Sequence, residues 1–274
     1  MVYRWDCSRC GFTVWTGLEG AIRDAVQSHL LEHDGRALYR DGFRIGWACP
    51  HCSESALRHD EDTAVEAFGE HLFSHVEGRV RSGTHVAADL AGSGNVLLAS
   101  PPNSAGMENA LVHFAAPCDV VLLVTSDVAG RLRLLDQRLT SWPDRTIVLT
   151  TSDQPLAGVD DVDLSRVPLE IVKLEGGFSL PRLGETISRI IDEHDGPDVR
   201  FSVSFEVLSE IVDAFELETV FRFLHLLTRR LETADALGHF YFSPDVRSGP
   251  TLNLLGELFD LQLEAESDRF VSTA

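Results

Sequence analysis

Apolar and polar residues alternate between residues 95 and 263 in a way that predicts strands and helices in turn. Short β-rich apolar runs occur at residues 95–100, 119–125, 146–151, 167–174, 199–204, 236–243 and 258–263. Amphipathic helical patterns fall between most of them, at residues 107–114, 128–139, 180–194, 217–232 and 248–255. Short buried strands that alternate with amphipathic helices predict an α/β fold with a largely parallel sheet covered by helices on both faces.

The first 80 residues carry a different pattern, in which a cysteine pair and a histidine pair occur twice at one spacing. The two copies, offset by 42 residues, are Cys7, Cys10, His29 and His33, followed by Cys49, Cys52, His71 and His75. The same offset also aligns Trp5 with Trp47 and Leu30 with Leu72. Agreement at this many positions indicates a duplicated module.

Each histidine pair lies at the end of a predicted helix. The apolar rows of these helices are Leu18, Ile22, Val26 and Leu30 in the first copy, and Val65, Phe68, Leu72 and Val76 in the second. Asp60 or Asp62 is expected to cap the second helix. Histidines four residues apart share one helix face, and a Cys-x2-Cys knuckle directs two thiolates at one point. We therefore expect two small ββα-type modules, residues 1–43 and 44–80, each holding one structural zinc ion.

Other interpretations of the cysteines explain less. A redox-active Cys-x2-Cys pair usually belongs to a βαβ context, which this segment lacks, and it leaves the paired histidines without a role. His51, inside the second knuckle, is either a substitute ligand or a solvent-facing residue, and we favour the second interpretation. Cys118 is expected to be a small buried residue.

Residues 78–94 form a predicted linker, and residues 83–274 form a predicted second domain. The loop after the first strand of this domain, residues 101–108, stands where a phosphate-binding loop would lie. It lacks the first glycine, the lysine and the hydroxyl residue of the G-x-x-x-x-G-K-[ST] pattern, so we do not expect hydrolysis there. Asn103, Ser104 and Gly106 remain candidates for holding an anion, although an ordinary strand-to-helix turn is the preferred interpretation.

The chain is strongly acidic and nearly free of lysine. It has 43 acidic and 23 basic residues, a formal net charge of −20, and Lys173 is its only lysine. This composition resembles that of cytosolic haloarchaeal proteins, whose self-repulsion is screened by salt. With no run of 18 apolar residues, no secretory leader and no lipidation signal, the chain is expected to be cytoplasmic and not membrane-bound.

Charge also affects the choice of partner. Residues 1–80 hold eight arginines against 13 acidic residues, so the modules lack the overall basic character of a phosphate-binding surface. We therefore expect a protein partner. Nucleic acid is an alternative that the overall charge does not favour, and a homo-oligomer is a further possibility.

Two segments of residues 83–274 resemble a known family. The run NVLLASPP at residues 95–102 looks like a first strand entering a phosphate loop, and ETVFRFLHLLTRRLETADALGHFYFSP at residues 218–244 is similar to haloarchaeal KaiC-like proteins. The domain thus resembles the KaiC-like branch of the RecA ATPase superfamily. This resemblance implies a RecA-like sheet and places the family's Walker B acid at Glu206. Because the phosphate loop is degenerate, the resemblance implies the fold and not catalysis.

The sequence therefore predicts a non-enzymatic regulatory or adaptor protein, a pseudo-ATPase with two structural zinc ions that binds a protein partner. Two alternatives stay open. One is a zinc-dependent DNA-binding transcriptional regulator that reads bases with the helix faces before His29 and His71, where Arg23 and Arg36 would contribute. The other is a nucleotide-binding sensor without hydrolysis.

Overall fold

The structure is a computed structural model that describes residues 2–159, 161–174, 179–194, 196, 198–245 and 249–272. The chain divides into two compact units. Unit 1 comprises Met1–His85 with Asp268–Ala274, and unit 2 comprises Val86–Ser267. Among the described residues, no helix is long and apolar enough to cross a membrane.

Unit 1 contains two helices that each follow a cysteine knuckle between antiparallel strands. Its helices and strands are β1 (Tyr3–Asp6), β2 (Thr13–Thr16), α1 (Glu19–Asp34), β3 (Leu38–Asp41), β4 (Arg44–Ala48), β5 (Ser55–Arg58), α2 (Glu61–Ser74), β6 (Arg81–Ser82) and, from the end of the chain, β14 (Arg269–Ser272). One antiparallel group has the order β14-β2-β1-β6, and a second has the order β3-β4-β5.

Two of the predicted domain boundaries do not agree with the strand pairing observed in unit 1. Phe270 of β14 lies opposite Trp15 of β2, so the chain from Asp268 onward belongs to unit 1, although the predicted second domain extended to residue 274. The predicted boundary between residues 43 and 44 falls in the turn of the β3–β4 hairpin. Strand β3 therefore pairs with the second module, because hairpin hydrogen bonds join it to β4.

One apolar core joins the two modules of unit 1. It includes residues of both helices and the two aligned tryptophans: Trp5, Cys7, Val14, Ile22, Ala25, Val26, Leu30, Trp47, Cys49, Phe68, Leu72 and Phe73. Of the predicted apolar rows, Ile22, Val26, Leu30, Phe68 and Leu72 belong to this shared core and Val76 packs against it, whereas Leu18 is 59% exposed.

Unit 2 alternates strands and helices, as the sequence predicts. Its elements are α3 (Val86–Asp89), β7 (Gly94–Ala99), α4 (Ala105–Ala115), β8 (Val120–Val124), α5 (Val128–Arg138), β9 (Arg145–Thr150), β10 (Leu169–Lys173), α6 (Leu180–His194), β11 (Phe201–Phe205), α7 (Leu208–Ala214), α8 (Leu217–Thr233), β12 (Leu237–Phe242), α9 (Gly249–Gly256) and β13 (Leu261–Ala265). These strands form parallel pairs in the order β10-β9-β8-β11-β12-β7-β13.

Helices cover both faces of the parallel sheet. Along β8, Val121 and Leu123 pack with α4 and α5, whereas Leu122 and Val124 pack with α6, α7 and α8. Side chains alternate between the faces of a strand, so continuous burial of the strand requires helices on both sides. The predicted fold class is confirmed.

Some elements were not predicted or differ at their ends. Helix α7 was not predicted, and β6 and α3 lie inside the predicted linker at residues 78–94. The strand expected at residues 258–263 starts later, as β13. The helix expected at residues 248–255 is α9, and residue 248 lies outside the described residues.

A buried histidine lies in the centre of unit 2. His239 of β12 is fully buried, with Nε2 at 2.9 Å from Ser202 Oγ and Nδ1 at 2.9 Å from the Tyr241 hydroxyl. Its ring stacks on Phe114, with ring centroids 5.0 Å apart. Burial lowers the pKa of His239 to about 3, so the imidazole is neutral in the folded protein at neutral pH.

We predict that acidification destabilises unit 2 through His239. The folded-state pKa lies below the ordinary value of 6.5, so the unfolded chain binds the proton first as the pH falls. Stability therefore decreases below pH 6.5 by about 1.4 kcal/mol per pH unit. Urea unfolding at pH 7 and pH 5 should show a smaller loss for His239→Gln than for the wild type.

The exposed histidine of α8 supplies the matched control for this experiment. His225→Gln is expected to retain the wild-type pH dependence, because His225 is exposed. Equal losses of stability in the wild type and in His239→Gln would contradict the prediction.

Candidate metal centres and the loop after β7

Each cysteine pair lies in a tight turn between antiparallel strands. In the first knuckle, the backbone N–H of Cys7 donates to the Phe12 carbonyl at 2.9 Å, and the N–H of Arg9 donates to Cys7 Sγ at 3.4 Å. The second knuckle, between β4 and β5, repeats both bonds with the same lengths 42 residues later. The duplication seen in the sequence is thus also a duplication of backbone geometry.

The helices bring the histidines to the knuckles. His29 and His33 lie one turn apart near the end of α1. His71 lies near the end of α2, and His75 is the first residue after that helix. Helix α2 begins after Asp60, whose carboxylate accepts a backbone N–H of the first turn at 2.9 Å. Of the two acids considered as caps, Asp60 therefore has this role.

The first ligand set has the dimensions of a tetrahedral zinc site. Cys10 Sγ lies 3.3 Å from His29 Nε2 and 3.5 Å from His33 Nε2, and the two Nε2 atoms are 3.0 Å apart. Cys7 Sγ lies 3.5 Å from His33 Nε2. Tetrahedral zinc, with bonds of about 2.3 Å to sulfur and 2.0 Å to nitrogen, implies S···N edges of about 3.5 Å and N···N edges of about 3.3 Å. These residues fit a four-coordinate ion.

The second set has the same geometry. Cys49 Sγ lies 3.4 Å from His75 Nε2, Cys52 Sγ lies 3.3 Å from His71 Nε2, and the two Nε2 atoms are 3.2 Å apart. In both sets the four ligand atoms lie within 4.8 Å of one another. The structure thus brings together all eight residues that the sequence predicted, in the two groups that it predicted.

Neighbouring groups orient the histidine rings. His71 Nδ1 lies 3.0 Å from the Glu54 carboxylate, and Trp47 stacks on the same ring at a centroid distance of 4.9 Å. In the first set, Phe12 stacks on His29 at 3.9 Å. A partner at Nδ1 fixes the tautomer that leaves Nε2 free to bind a metal.

Burial acts differently on the two kinds of ligand. It lowers the pKa of His29, which favours the neutral imidazole that binds zinc. It raises the pKa of the Cys49 thiol, so a metal ion must displace a proton from that residue. Metal binding at these sites therefore releases protons and strengthens as the pH rises.

A carboxylate that the sequence interpretation did not single out connects the two knuckles. The carboxylate of Asp34, the residue directly after His33, accepts two hydrogen bonds from Arg9 at 2.8 and 2.7 Å. One of its oxygens also lies 3.0 Å from His51 Nε2. Arg9 and His51 occupy equivalent positions in the two knuckles. The hydrogen bond from Arg9 is the main cause that lowers the pKa of Asp34. His51 thus contacts Asp34 and is not simply a solvent-facing residue.

The candidate anion-binding residues after β7 are all in contact with other parts of unit 2. Ser104 caps α4 by accepting the N–H of Met107 at 3.2 Å, and its Oγ lies 2.8 Å from Ser100 Oγ. Asn103, with φ of 55°, accepts a hydrogen bond from Arg131 at 3.1 Å. A side chain at Gly106 would place its Cβ 2.1 Å from the Ala265 carbonyl oxygen, so the end of β13 packs directly on this glycine.

Glu206, the acid at the position implied by the family resemblance, forms a buried ion pair. Its Oε2 lies 2.5 Å from Arg131 Nε, and both side chains are at most 6% exposed. Thr125 Oγ1 donates to the same carboxylate oxygen at 3.1 Å. Burial raises the pKa of Glu206, and Arg131 opposes that rise. Arg131 was not identified from the sequence, although it lies on the apolar stripe of α5 between Val128 and Leu135.

Comparison with known proteins gives one family and several structures. The model of the family of unknown function DUF7504 matches residues 93–265. No curated protein matches the chain.

Three similar solved structures share little sequence with this chain. The uncharacterized protein PH0321 from Pyrococcus horikoshii is 12% identical with a TM-score of 0.43, and the match covers 66% of this chain and 83% of that chain. A DnaB-like replicative helicase is 13% identical with a TM-score of 0.40, and the match covers 75% of this chain and 57% of that chain. The flagellar accessory protein FlaH from Methanocaldococcus jannaschii is 8% identical with a TM-score of 0.34, and the match covers 65% of this chain and 75% of that chain. The family match covers most of the chain, including all the strands of the parallel sheet. This chain therefore belongs to the family of unknown function DUF7504.

Proposed function

We propose that this chain is a non-catalytic regulatory or adaptor protein of a halophilic cytoplasm. Two zinc ions stabilise unit 1. Unit 2 is RecA-like and KaiC-like, lacks ATPase activity and binds a protein partner. The observation that carries this proposal is the pair of closed ligand sets. Each supplies two thiolates and two imidazoles, so zinc bound there has no open position for a substrate. Such ions stabilise a fold and do not activate water.

The contacts of the loop after β7 support the absence of ATPase chemistry. A phosphate-binding loop uses a lysine and a hydroxyl residue against the phosphates and Mg²⁺, and this loop has Met107 and Glu108 in that region. Arg131 bridges Asn103 and Glu206, so the chain's own guanidinium neutralises the acid. The packing of Ala265 on Gly106 further restricts the space at the start of α4.

A groove on unit 2 supports a protein partner. The groove has a volume of about 590 Å³ and lies between α6 and α8. Its lining includes Phe223 and Leu226, and Leu226 is 65% exposed. Charged residues surround the apolar lining: Glu185, Arg189, Asp192, Glu193 and Arg230. An apolar groove with a charged rim has the composition of a protein–protein contact.

Elemental analysis of the purified chain is expected to find two zinc ions per molecule. Cys10→Ser and Cys52→Ser should each retain one ion, because each removes a thiolate from a different set. Cys118→Ser, outside both sets, should retain two. Chelation should reduce the helix signal in circular dichroism, because α1 and α2 each end at their ligands. Zinc content well below two, with helicity unaffected by chelation, would refute this proposal.

We predict that Asp34 couples the two zinc sites. Asp34→Asn keeps the side-chain shape but removes the charge that binds Arg9 and His51, so zinc should be released more readily from both sites. Charged hydrogen bonds of this kind contribute about 1.5–3 kcal/mol, which corresponds to at least about a tenfold loss of zinc affinity. Competition with a chromophoric chelator measures the effect. Asp24→Asn, on the exposed face of α1, is the matched control, and equal titrations for the two variants would contradict the coupling.

Calorimetry with MgATP and MgADP in molar KCl is expected to give no binding heat, and the zinc-loaded chain should release no phosphate from ATP. The physical reason is that the loop after β7 carries no lysine for the β- and γ-phosphates and that Arg131 is already paired with Glu206. Saturable heat with one site per chain would instead support the nucleotide-sensor alternative.

A further inference from the structure

The outward face of the β3–β4–β5 sheet presents an aromatic ring lying over a glycine. Tyr39, Gly46 and Leu57 lie opposite one another across the three strands. A side chain at Gly46 would place its Cβ 2.6 Å from Tyr39 Cζ and 2.8 Å from Leu57 Cδ2, so the ring of Tyr39 covers the glycine. Tyr39 is still 45% exposed. Its outer face is therefore available to a ligand.

A second aromatic residue stands at the end of this sheet. Phe43, in the turn between β3 and β4, is fully exposed. Three of the exposed large apolar residues in the described part of the chain lie within this sheet and its turn: Tyr39, Phe43 and Leu57. We call the surface formed by Tyr39, Phe43, Arg44 and Leu57 the hairpin surface. Exposed apolar residues that cluster in this way indicate an interaction site.

The charge of this region is opposite to that of the whole chain. Residues 36–58 contain four arginines and two acidic residues, whereas the chain has 23 basic and 43 acidic residues. Arg44 follows Phe43 and lies two residues before Gly46, so it shares the outward face. Arg40 pairs with Glu61 at 3.5 Å, but the ion pairs of the described residues include none formed by Arg36, Arg44 or Arg58. Asp41 lies opposite Arg44 in the hairpin, and Arg58 donates to the Leu57 carbonyl at 3.2 Å. With four arginines against two acidic residues, the region still has a net positive charge for an anionic partner.

We propose that the hairpin surface binds single-stranded nucleic acid. Unpaired bases stack on exposed aromatic faces, and guanidinium groups bind phosphate through paired N–H donors. A duplex keeps its base faces inside its own stack, so it cannot use Tyr39 and Phe43 in this way. Stacking also depends less on salt than phosphate contacts do, which suits binding at high ionic strength.

This site differs from the helix faces considered for base reading, and it adds a ligand to the proposed adaptor function without depending on the protein partner. The β4–β5 turn is the second cysteine knuckle, so the zinc-loaded protein is the form to test.

Fluorescence anisotropy of the zinc-loaded full chain, titrated into labelled 12-nucleotide DNA and RNA strands and a matched duplex, tests the proposal. We expect saturable binding of a single strand and weaker binding of the duplex. Phe43→Ala should weaken single-strand binding about tenfold, since it removes one stacking face. Arg44→Ala should reduce the slope of log affinity against log salt by about one, since it removes one phosphate contact.

Two exposed residues outside unit 1 provide the controls, and an acidic polypeptide provides the competing ligand. Leu254→Ala changes an apolar residue that is 40% exposed, and Arg222→Ala changes an exposed arginine; both variants should bind nucleic acid like the wild type. The proposal is overturned if no single strand binds saturably, if the hairpin variants bind like the controls, or if polyglutamate binds the hairpin surface as tightly as the nucleic acid does. Circular dichroism and zinc content confirm that the Phe43 and Arg44 variants remain folded.

Discussion

Two groups of four ligand atoms, each group within 4.8 Å, bring both long helices of unit 1 against its two knuckle turns. A knuckle turn between two strands must face the last turn of a helix, and both must keep their positions relative to one apolar core. Trp5 and Trp47 are buried in that core, and among the described residues their indole Nε1 atoms have no hydrogen-bond partner. An unsatisfied buried donor costs about 1–3 kcal/mol. In our account, metal binding supplies folding free energy that this small core alone does not.

Unit 2 depends on packing instead. Its parallel sheet is buried on both faces, and the polar groups at the carboxyl ends of its strands contact one another. Arg131 reaches from α5 to Glu206 after β11 and to Asn103 after β7, and it thus connects two strand ends through one guanidinium. A buried pair of this kind satisfies the carboxylate internally, and removing one partner would leave an uncompensated charge. The region where related architectures hold a ligand is therefore part of the structural framework in our proposal.

The two Cys2His2 groups and the fold class could be predicted from the sequence because both depend on local spacing. Cysteines separated by two residues and histidines four apart determine which atoms converge, and alternating apolar runs determine strands and helices. Long-range partners leave no such signal. Strand β14 is four residues long and pairs with β2 some 250 residues earlier, and nothing in its composition identifies that partner. Asp34 meets Arg9 and His51 only after both knuckles have folded, and Arg131 is recognisable only as a charged residue on an apolar helix stripe.

Zinc K-edge X-ray absorption spectroscopy of the purified chain tests the central claim most directly, because it measures the atoms bound to the metal. We expect an average first shell of two sulfur atoms at about 2.3 Å and two nitrogen atoms at about 2.0 Å per zinc. A shell dominated by oxygen or nitrogen, or one with four sulfur atoms, would contradict the two Cys2His2 centres on which this account of the protein rests.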